Sequence, residues 1–380
     1  MLLDKSVTSS QKDRASMAKK VMVAMSGGVD SSVAMLKIIE MGYDAFGVTM
    51  KLWDYQSAGG NISRDNSCCS VEEINGAKLV CDRLGVPHYT IDFMDTFKES
   101  VIDDFAREYF SGRTPNPCVR CNSFVKWDAF LKQAELLGAD LIATGHYAQI
   151  EYQDGEPILK KGVDPVKDQA YVLWGIPRES MHQTLLPLGG LNKSEVRKIA
   201  ADNDLATATT PESMEICFVA DGNYKRFLSD YSPDQYKGVG EGNVVENGKV
   251  VGTHPGYTHF TIGQRKGIGV SMPDPKYVQK ISAETNTITI GGKDGLYSQS
   301  CKVSNINWLI KDISFPKKAE VQIRYNSKVS KATILMDEKW DCHIEFETPQ
   351  MSITPGQSIV FYDDINTDIV LGGGIIEKSF

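Results

Sequence analysis

The chain has 380 residues, of which 41% are hydrophobic and 24% charged, so it is long enough for two or three domains with large cores. Its formal net charge of −8 argues against a protein that coats nucleic acid indiscriminately, although it leaves room for a local RNA site. No run approaches the roughly 18 apolar residues of a membrane span. We therefore expect a cytoplasmic protein with no membrane partner, whose eight cysteines are reduced thiols suited to metal or sulfur chemistry.

Residues 1–19 and residues 20–222 differ sharply in their pattern of polar and apolar residues. Residues 1–19 are largely polar and lack a hydrophobic segment, which predicts a disordered leader, and Met17 could equally be the start. From residue 20 to 222, strand-like runs alternate with helix-like ones, which predicts an α/β domain with a doubly wound parallel sheet. The predicted strands cover 21–25, 45–50, 88–93 and 141–144, and the predicted helices cover 31–41, 71–84, 95–110, 124–137 and the segment capped by Asn192.

The segment between the first strand and the first helix predicts a pyrophosphate-binding loop. It reads Ser26-Gly27-Gly28-Val29-Asp30-Ser31-Ser32, and we call residues 26–32 the phosphate loop. Backbone N–H groups at a helix start face an anion, the two glycines permit close approach, and Asp30 could hold Mg²⁺ or its water shell. No Walker lysine follows, so the loop suits an enzyme that expels pyrophosphate and leaves AMP on its substrate. The alternative is an ordinary Gly-Gly turn.

A second informative stretch is Thr114-Pro115-Asn116-Pro117-Cys118-Val119-Arg120-Cys121. The two prolines predict a rigid loop that presents both cysteines at the start of a helix, where Arg113 and Arg120 should lower a thiol pKa. The alternatives are two buried structural cysteines or half of a zinc site, which lacks its second pair of ligands. Cys217, between Ile216 and Phe218, reads by itself as a core residue.

The remainder of the chain is predicted to be rich in β-structure. Residues 223–300 contain Gly-, Pro- and Asn-rich turns between short strands, and Asn247-Gly248 is typical of a type I′ hairpin turn, so we predict a small β-rich central domain without helices. Residues 301–380 contain short strands at even spacing, which predicts a C-terminal β-barrel or sandwich. Cys81, Cys301 and Cys342 fall in apolar patterns and are expected in the core.

From about residue 20 onward, the chain resembles the tRNA-specific 2-thiouridylases of the MnmA/TrmU type. The order and spacing of its motifs carry the resemblance, whereas the phosphate loop alone would suit other adenylating enzymes. These motifs are the residues 24–31, Val48-Thr49-Met50-Lys51, Cys68-Cys69-Ser70, Thr114-Pro115-Asn116-Pro117 with Cys121-Asn122, Ala143-Thr144-Gly145-His146-Tyr147, Lys167-Asp168-Gln169, Ile216-Cys217-Phe218 and Tyr257 to Gly269.

The resemblance implies a pyrophosphate-loop ATPase domain and an enzyme that installs sulfur at C2 of the wobble uridine in tRNAs for Lys, Glu and Gln. ATP with Mg²⁺ would adenylate the C2 oxygen, and sulfur would then displace AMP. A cysteine desulfurase or sulfur-relay protein would load a persulfide onto Cys217. Cys121 would attack that persulfide and leave a Cys121–Cys217 disulfide. The implied partners are thus tRNA and the sulfur donor, and the enzyme is expected to be a monomer.

The resemblance also assigns binding residues. ATP is expected to contact Ala24, Met25, Ser26, Gly27, Gly28, Val29, Asp30, Ser31, Met50 and Gly145. The target base is expected against Asn116, Pro117 and Cys118, and the tRNA against His146, Lys167, Asp168, Gln169, Arg324, Tyr325 and Gln357. Without the resemblance, Lys167-Asp168-Gln169 would read as a solvated turn, Arg324 as an exposed barrel residue and residues 263–267 as a plain hairpin.

One departure from the family pattern leaves the sulfur chemistry open. Cys118 stands where the best-known members have Asp, so an acid–base role of that carboxylate cannot be transferred. Cys118, Cys121 and Cys217 could instead hold three corners of a [4Fe–4S] cluster that delivers sulfide. Two other functions compete: an adenylating amide-forming synthetase, which would not depend on Cys121 or Cys217, and a non-catalytic tRNA-binding or sulfur-carrier protein, which the intact phosphate loop disfavours.

Overall fold

The computed structural model describes residues 18–53, 71–211, 216–219, 221–337 and 342–380. Most of the predicted leader, Cys68-Cys69 and Glu212-Ser213 lie outside these described residues. The predicted boundaries of the leader and of the three domains remain predictions.

A five-stranded parallel sheet forms the centre of the first domain, as the alternating pattern predicts. Its order is β3-β2-β1-β4-β7. The chain leaves central β1 toward β2 on one side and returns to β4 on the other, so β1 and β4 flank the switch point where such sheets bind ligands. The strands are β1 (Lys20–Ala24), β2 (Asp44–Lys51), β3 (His88–Asp92), β4 (Leu141–Ala143) and β7 (Thr184–Leu185).

The helices of this domain pack apolar faces against the sheet. Helix α1 (Val29–Glu40) buries eight residues against β1 and β4, and α2 (Val71–Leu84) has the predicted bounds. The predicted helix over 95–110 is present as α3, but a π-helical segment interrupts it. Its segments are Met94–Phe97, the π-helical Lys98–Ile102 and Asp103–Phe110. Helix α5 (Lys193–Asp202) begins with the predicted capping box of Asn192 and Glu195.

Helix α4 begins seven residues before the predicted start at residue 124. Its segments are Pro117–Arg120, the π-helical Cys121–Ala129 and Phe130–Leu136. The Asn116 side chain accepts from the N–H of Val119, and Pro117 occupies the first turn, where its missing N–H is not needed. The Asn-Pro pair therefore starts the helix, and both Cys118 and Cys121 lie within it.

Two regions contain elements that the sequence pattern did not predict. An antiparallel hairpin, β5 (Ala148–Gln153) and β6 (Glu156–Lys161), follows β4. The prediction that helical structure ends near residue 223 is wrong, because α6 (Tyr224–Tyr231) and α7 (Pro233–Val239) follow it. Phe227 and Leu228 of α6 are fully buried, so a helix of only eight residues is stabilised by packing and not by length.

The central part is otherwise a four-stranded sheet of order β10-β11-β8-β9. The predicted hairpin is confirmed: Glu246 pairs with Lys249 across Asn247 and Gly248, whose φ angles of 49° and 76° are those of a type I′ turn. The strands are β8 (Gly242–Glu246), β9 (Lys249–His254), β10 (Tyr277–Ser282) and β11 (Thr287–Gly291).

The C-terminal part is a closed barrel of order β12-β15-β14-β13-β16-β17, which confirms the predicted barrel. Cys301 and Cys342 lie in its fully buried core. Its first strand begins four residues before the predicted boundary at 301. The strands are β12 (Tyr297–Trp308), β13 (Lys317–Gln322), β14 (Ser330–Met336), β15 (Cys342–Met351), β16 (Ser358–Asp363) and β17 (Val370–Ser379).

Candidate active site

The phosphate loop joins β1 to α1 as predicted. Gly28 is the N-cap of α1, so the first backbone N–H groups of the helix open toward the carboxyl edge of the sheet. Gly27 has φ +75°, and a Cβ atom there would collide with the backbone of Glu73 in α2, so only glycine fits. Ser31 and Ser32 donate to the Gly28 carbonyl over 3.0 Å and 2.9 Å. These two hydroxyls brace the loop and are not free to bind phosphate in this arrangement.

Asp30 is engaged by two residues that the sequence did not point to. Lys193 Nζ donates to Asp30 Oδ1 and Oδ2 over 2.7 Å and 2.8 Å, and Tyr147 Oη donates to Oδ1 over 2.7 Å. Lys193 is the first residue of α5, 163 positions away in sequence, and only 12% of its side chain is exposed. A lysine therefore stands at the phosphate loop although no Walker lysine follows it in sequence. The Asn192 cap fixes the helix start, but it does not indicate which element that start faces.

The segment after β4 closes the other side of the phosphate loop. A Cβ atom on Gly145 would lie 2.9 Å from the Asp30 carbonyl carbon and 3.0 Å from the Ser31 nitrogen, so glycine is required for this approach. Met50 lies near the end of β2, next to the loop's strand, and is 8% exposed. The structure thus gathers the predicted ATP-contacting residues at one edge of the sheet.

The two cysteines of α4 belong to a helix that contacts the segment after β4, where Lys126 Nζ lies 3.3 Å from His146 Nε2. Cys118 is exposed at the helix start, while Cys121 is half-buried against the main core. Although Cys118 is exposed as a residue, desolvation raises the pKa of its thiol, and the nearby charge of Lys126 only partly opposes this. The expectation that a helix start and arginines would favour thiolate is therefore wrong for Cys118, because desolvation outweighs the local positive charge.

Cys217 precedes a residue that packs among the aromatic rings of α3. Its neighbour Phe218 makes edge contacts with Phe97 and Phe105 of α3, with ring centroids 5.8 Å and 5.1 Å apart. The residue next to Phe105, Asp104, accepts from Arg120 over 3.1 Å. Cys121 and Cys217 both pack against the same core cluster although 96 positions (217 − 121) separate them.

The predicted three-cysteine cluster site is not assembled in this arrangement. Across the part of the chain that the structure describes, which includes Cys118, Cys121 and Cys217, no three His, Cys, Asp or Glu side chains are grouped as in a metal site. The donor set therefore does not fit a [4Fe–4S] cluster here, and the same finding disfavours a structural zinc site.

His146 is buried and uses both ring nitrogens inside the protein. Lys126 Nζ lies 3.3 Å from Nε2, and Thr144 Oγ1 lies 2.7 Å from Nδ1. Because Lys can only donate, Nε2 accepts and Nδ1 carries the proton. Desolvation, with a smaller contribution from the charge of Lys126, holds the pKa of His146 well below its ordinary value, so the ring is neutral. This geometry does not favour the predicted direct contact with tRNA.

Comparison with known proteins agrees with this arrangement along the whole chain. Three family models match in order: tRNA methyl transferase HUP domain at residues 19–221, tRNA methyl transferase PRC-barrel domain at 225–292 and aminomethyltransferase beta-barrel domain at 298–376. The chain is 46% identical over 367 residues to the tRNA-specific 2-thiouridylase MnmA of Carboxydothermus hydrogenoformans, covering 95% of this chain and 98% of that protein. The chain belongs to the tRNA-specific 2-thiouridylase family.

Further relatives support the same assignment. The MnmA of Geotalea uraniireducens is 44% identical over 364 residues, covering 95% of this chain and 96% of that protein. Among solved structures, the U34-tRNA thiolase NcsA of Methanococcus maripaludis matches at 16% identity and a TM-score of 0.33, over 57% of this chain and 68% of that chain, which is too weak to carry an argument. The predicted family, fold class and enzyme class, a tRNA-uridine 2-sulfurtransferase, are confirmed.

The Lys167-Asp168-Gln169 segment, predicted to face tRNA, is held by contacts within the first domain and by one contact from the barrel. Tyr325 Oη donates to the Asp168 carbonyl over 2.9 Å, and Gln169 Oε1 accepts from the Tyr147 N–H over 3.0 Å. Asp168 Oδ1 accepts from two backbone N–H groups, and desolvation raises its pKa. The backbone N–H of Lys167 donates to Asp164 Oδ1 over 3.2 Å. The Lys167-Asp168-Gln169 segment is therefore a structured junction and not a freely solvated turn.

The barrel of the 2-thiouridylase also forms hydrogen bonds and an ion pair with the loop that precedes Cys118. Gln357 Nε2 donates to the carbonyls of Thr114 and Pro115 over 2.9 Å and 3.2 Å. Arg113 forms an ion pair with Glu377 of β17 over 2.6 Å. Arg324 donates to the carbonyl of Ser352 and to Thr354 Oγ1, so it is built into the barrel rather than fully exposed. The barrel thereby holds Asn116, Pro117 and Cys118 in place.

Next to this loop, a cavity of about 340 Å³ opens between the first domain and the barrel. Arg113, Asn116 and Arg120 line one side of it, and Asn305 and Glu377 line the other. Across the described residues, no helix of this 2-thiouridylase is both long and apolar enough to cross a membrane.

Proposed function

We propose that this 2-thiouridylase uses ATP to thiolate C2 of the wobble uridine in tRNAs of the Lys, Glu and Gln type, with cysteine persulfide as the sulfur carrier. One observation carries the proposal. The Gly145 segment touches the phosphate loop at one edge of the parallel sheet, and the helix that carries Cys118 and Cys121 contacts that segment through Lys126 and His146. An activated phosphate and a nucleophilic sulfur can therefore meet at one base.

The first step is adenylation. The C2 oxygen of uridine attacks the α-phosphorus of ATP, the bond to the β-phosphate breaks, and pyrophosphate leaves as the magnesium complex. The helix start at Gly28 supplies N–H groups for the phosphates, while Lys193 and Asp30 lie beside them. Asp30 is the residue that would hold the magnesium ion accompanying ATP, and the ammonium group of Lys193 would then face the negative charge of the leaving pyrophosphate.

The second step transfers sulfur. The Cys121 thiolate attacks the inner sulfur of a persulfide on Cys217, a disulfide forms, and the terminal sulfur leaves as hydrosulfide. Hydrosulfide adds to C2, and the carbon–oxygen bond then breaks with loss of AMP and a proton, which gives the 2-thio group. A sulfur-relay protein or cysteine desulfurase must supply each persulfide, and a dithiol reductant must reopen the disulfide. Both cysteines are partly buried against the main hydrophobic core, and the resemblance carries their pairing.

We also propose that the tRNA lies across the junction of the first domain and the barrel. The residues assigned to it by resemblance, Lys167-Asp168-Gln169, Tyr325 and Gln357, meet at this junction. A basic turn at residues 263–267 lies against the same region, because Gly263 is adjacent to Ser352 and Arg324. An anticodon loop offers an unstacked base that such a junction can hold.

The deciding experiment measures 2-thiouridine formation on unmodified tRNA-Lys with MgATP, using anaerobically purified protein with and without reconstituted iron. Product from iron-free protein supplied with a persulfide donor is the expected result. Product only with iron, together with absorbance near roughly 400 nm, would replace the persulfide relay with a cluster mechanism. No product under either condition would reject the proposed thiolation of this tRNA by a persulfide relay.

A further inference from the structure

Lys126 lies on the same helix as the two cysteines of the site, five residues after Cys121. In an α-helix, with about 3.6 residues per turn, positions 121 and 126 would be about 140° apart around the axis. The segment Cys121–Ala129 is a π-helix, which has roughly 4.4 residues per turn and reduces that angle to about 50°. The π-helix therefore brings the Lys126 side chain round to the face that carries Cys121.

The position of the Lys126 ammonium group is fixed by its neighbours. It donates to Nε2 of neutral His146, whose Nδ1–H is in turn donated to Thr144. The next residue, Trp127, packs its ring 5.5 Å from the His146 ring and donates to Thr184 over 2.9 Å. A neutral acceptor orients the amino group of Lys126 without adding a counter-charge beside it.

Contacts link this charge to both reacting parts of the site. On one side, His146 directly follows Gly145, whose backbone touches Asp30 and Ser31 of the phosphate loop. On the other side, the charge of Lys126 acts on Cys118, the residue assigned to the target base. The α-phosphate must lie near the phosphate loop and the uridine near Cys118 when they react. An ammonium group linked to both can stabilise negative charge as the uridine C2 oxygen bonds to the α-phosphorus.

We propose that Lys126 is a catalytic residue of adenylation, whose ammonium group stabilises the negative charge that develops on the α-phosphate as uridine attacks, and that His146 is the positioning residue that aims it. This inference rests on the proposed function. It assigns His146 a role inside the protein instead of a direct contact with tRNA. It also gives the π-helix a purpose, because straightening it would turn Lys126 away from the site.

The test measures single-turnover pyrophosphate release with saturating ATP and unmodified tRNA-Lys, in protein treated with dithiothreitol and given no sulfur donor. Lys126→Met is expected to slow release by about 10²-fold, with ATP and tRNA affinities changed by less than about threefold. Lys126→Arg should restore part of the rate. The matched control is Lys132→Met, because Lys132 is on the same helix and 69% of its side chain is exposed. Its rate should equal that of the wild type.

His146 is tested by two replacements of similar bulk. His146→Gln keeps an acceptor for Lys126 and should retain most of the rate, whereas His146→Phe removes it and should slow release by about 10-fold with unchanged substrate affinities. Equal rates for Lys126→Met and wild type would overturn the proposal. So would a defect confined to ATP or tRNA affinity. If wild-type protein itself releases no pyrophosphate with tRNA, the proposed function is rejected. If wild type and Lys126→Met release it at the same rate, only the role proposed for Lys126 is rejected.

Discussion

The ammonium group of Lys193 lies 2.7 Å and 2.8 Å from the two carboxylate oxygens of Asp30, although the residues are 163 positions apart. The pair is largely enclosed, with 12% of the Lys193 side chain and 34% of the Asp30 side chain exposed. The ammonium group of Lys193 is thus held at the phosphate loop by Asp30, the acidic residue of that loop. Binding of MgATP would give each of them a new partner of opposite charge.

Replacing Lys193 should impair adenylation. Lys193→Met removes the ammonium group paired with Asp30 of the phosphate loop and leaves Asp30 with only Tyr147 as a described side-chain donor, so ATP affinity and pyrophosphate release should each fall by about 10-fold or more. Isothermal titration calorimetry and single-turnover pyrophosphate assays measure the two effects. Lys198→Met is the matched control, because Lys198 is exposed on the same helix. Unchanged values for Lys193→Met would show that Lys193 serves only to hold Asp30. Asp30→Ala should block adenylation altogether.

Cys121 and Cys217 should matter for sulfur transfer and not for activation. Cys121→Ser and Cys217→Ser should still release pyrophosphate in the presence of tRNA, but 2-thiouridine, measured by mass spectrometry of digested tRNA, should fall below detection. Cys301→Ala is a suitable control, because Cys301 is fully buried in the barrel, away from the reacting groups. Normal 2-thiouridine from Cys217→Ser would eliminate both the persulfide relay and the cluster alternative.

The close approach of Gly145 to the phosphate loop predicts a sensitivity to one added methyl group. In Gly145→Ala, the new Cβ would lie 2.9 Å from the Asp30 carbonyl carbon, so loop and strand end must separate. We expect ATP affinity to fall at least about 10-fold and the free energy of unfolding to fall by about 1–3 kcal/mol. Gly190→Ala is the control, because no atom lies within 4 Å of the corresponding Cβ position. A Gly145→Ala enzyme with normal ATP affinity would contradict the proposed nucleotide position.

The ion pair between Arg113 and Glu377 predicts how stability depends on pH. Desolvation acts to raise the pKa of Glu377, but hydrogen bonds from Arg113 and Ser304 outweigh it and hold that pKa below its ordinary value. Stability from this group is therefore fully present above the unfolded carboxyl pKa of about 4.3 and is lost as pH falls through the lower folded value.

Glu377→Gln isolates this effect. The variant should lose on the order of 1 kcal/mol in free energy of unfolding at pH 7, and the difference from wild type should shrink as pH falls below about 4. Urea unfolding at pH 7, 5 and 3.5 gives the comparison. Glu347→Gln on an exposed part of β15 provides the control. A difference that stays constant down to pH 3.5 would mean that the charge of Glu377 is not responsible.

Much of the local structure could be predicted from the sequence, because it depends on neighbouring residues. Five apolar residues followed by Gly-Gly predict a strand and a phosphate loop, and Asn192 with Glu195 predicts a helix start. Asn247-Gly248 predicts its turn because both residues tolerate positive φ. The sequence pattern did not predict helix α6, because eight residues in a region rich in turn-forming residues give too short a periodic signal. Packing of the buried Phe227 stabilises this helix instead.

The sequence by itself thus determined the family and the order of the α/β, central and barrel parts, because these follow from local patterns and from motif order; the roles of the site residues remain predictions. Only the tertiary structure decided that Lys193 meets Asp30, that neutral His146 holds Lys126, and that desolvation raises the pKa of Cys118. The physical reason is that the order of the strands and the packing of the barrel on the first domain set the distances between these side chains and the desolvation of Cys118. No local pattern encodes where two elements far apart in the chain will meet.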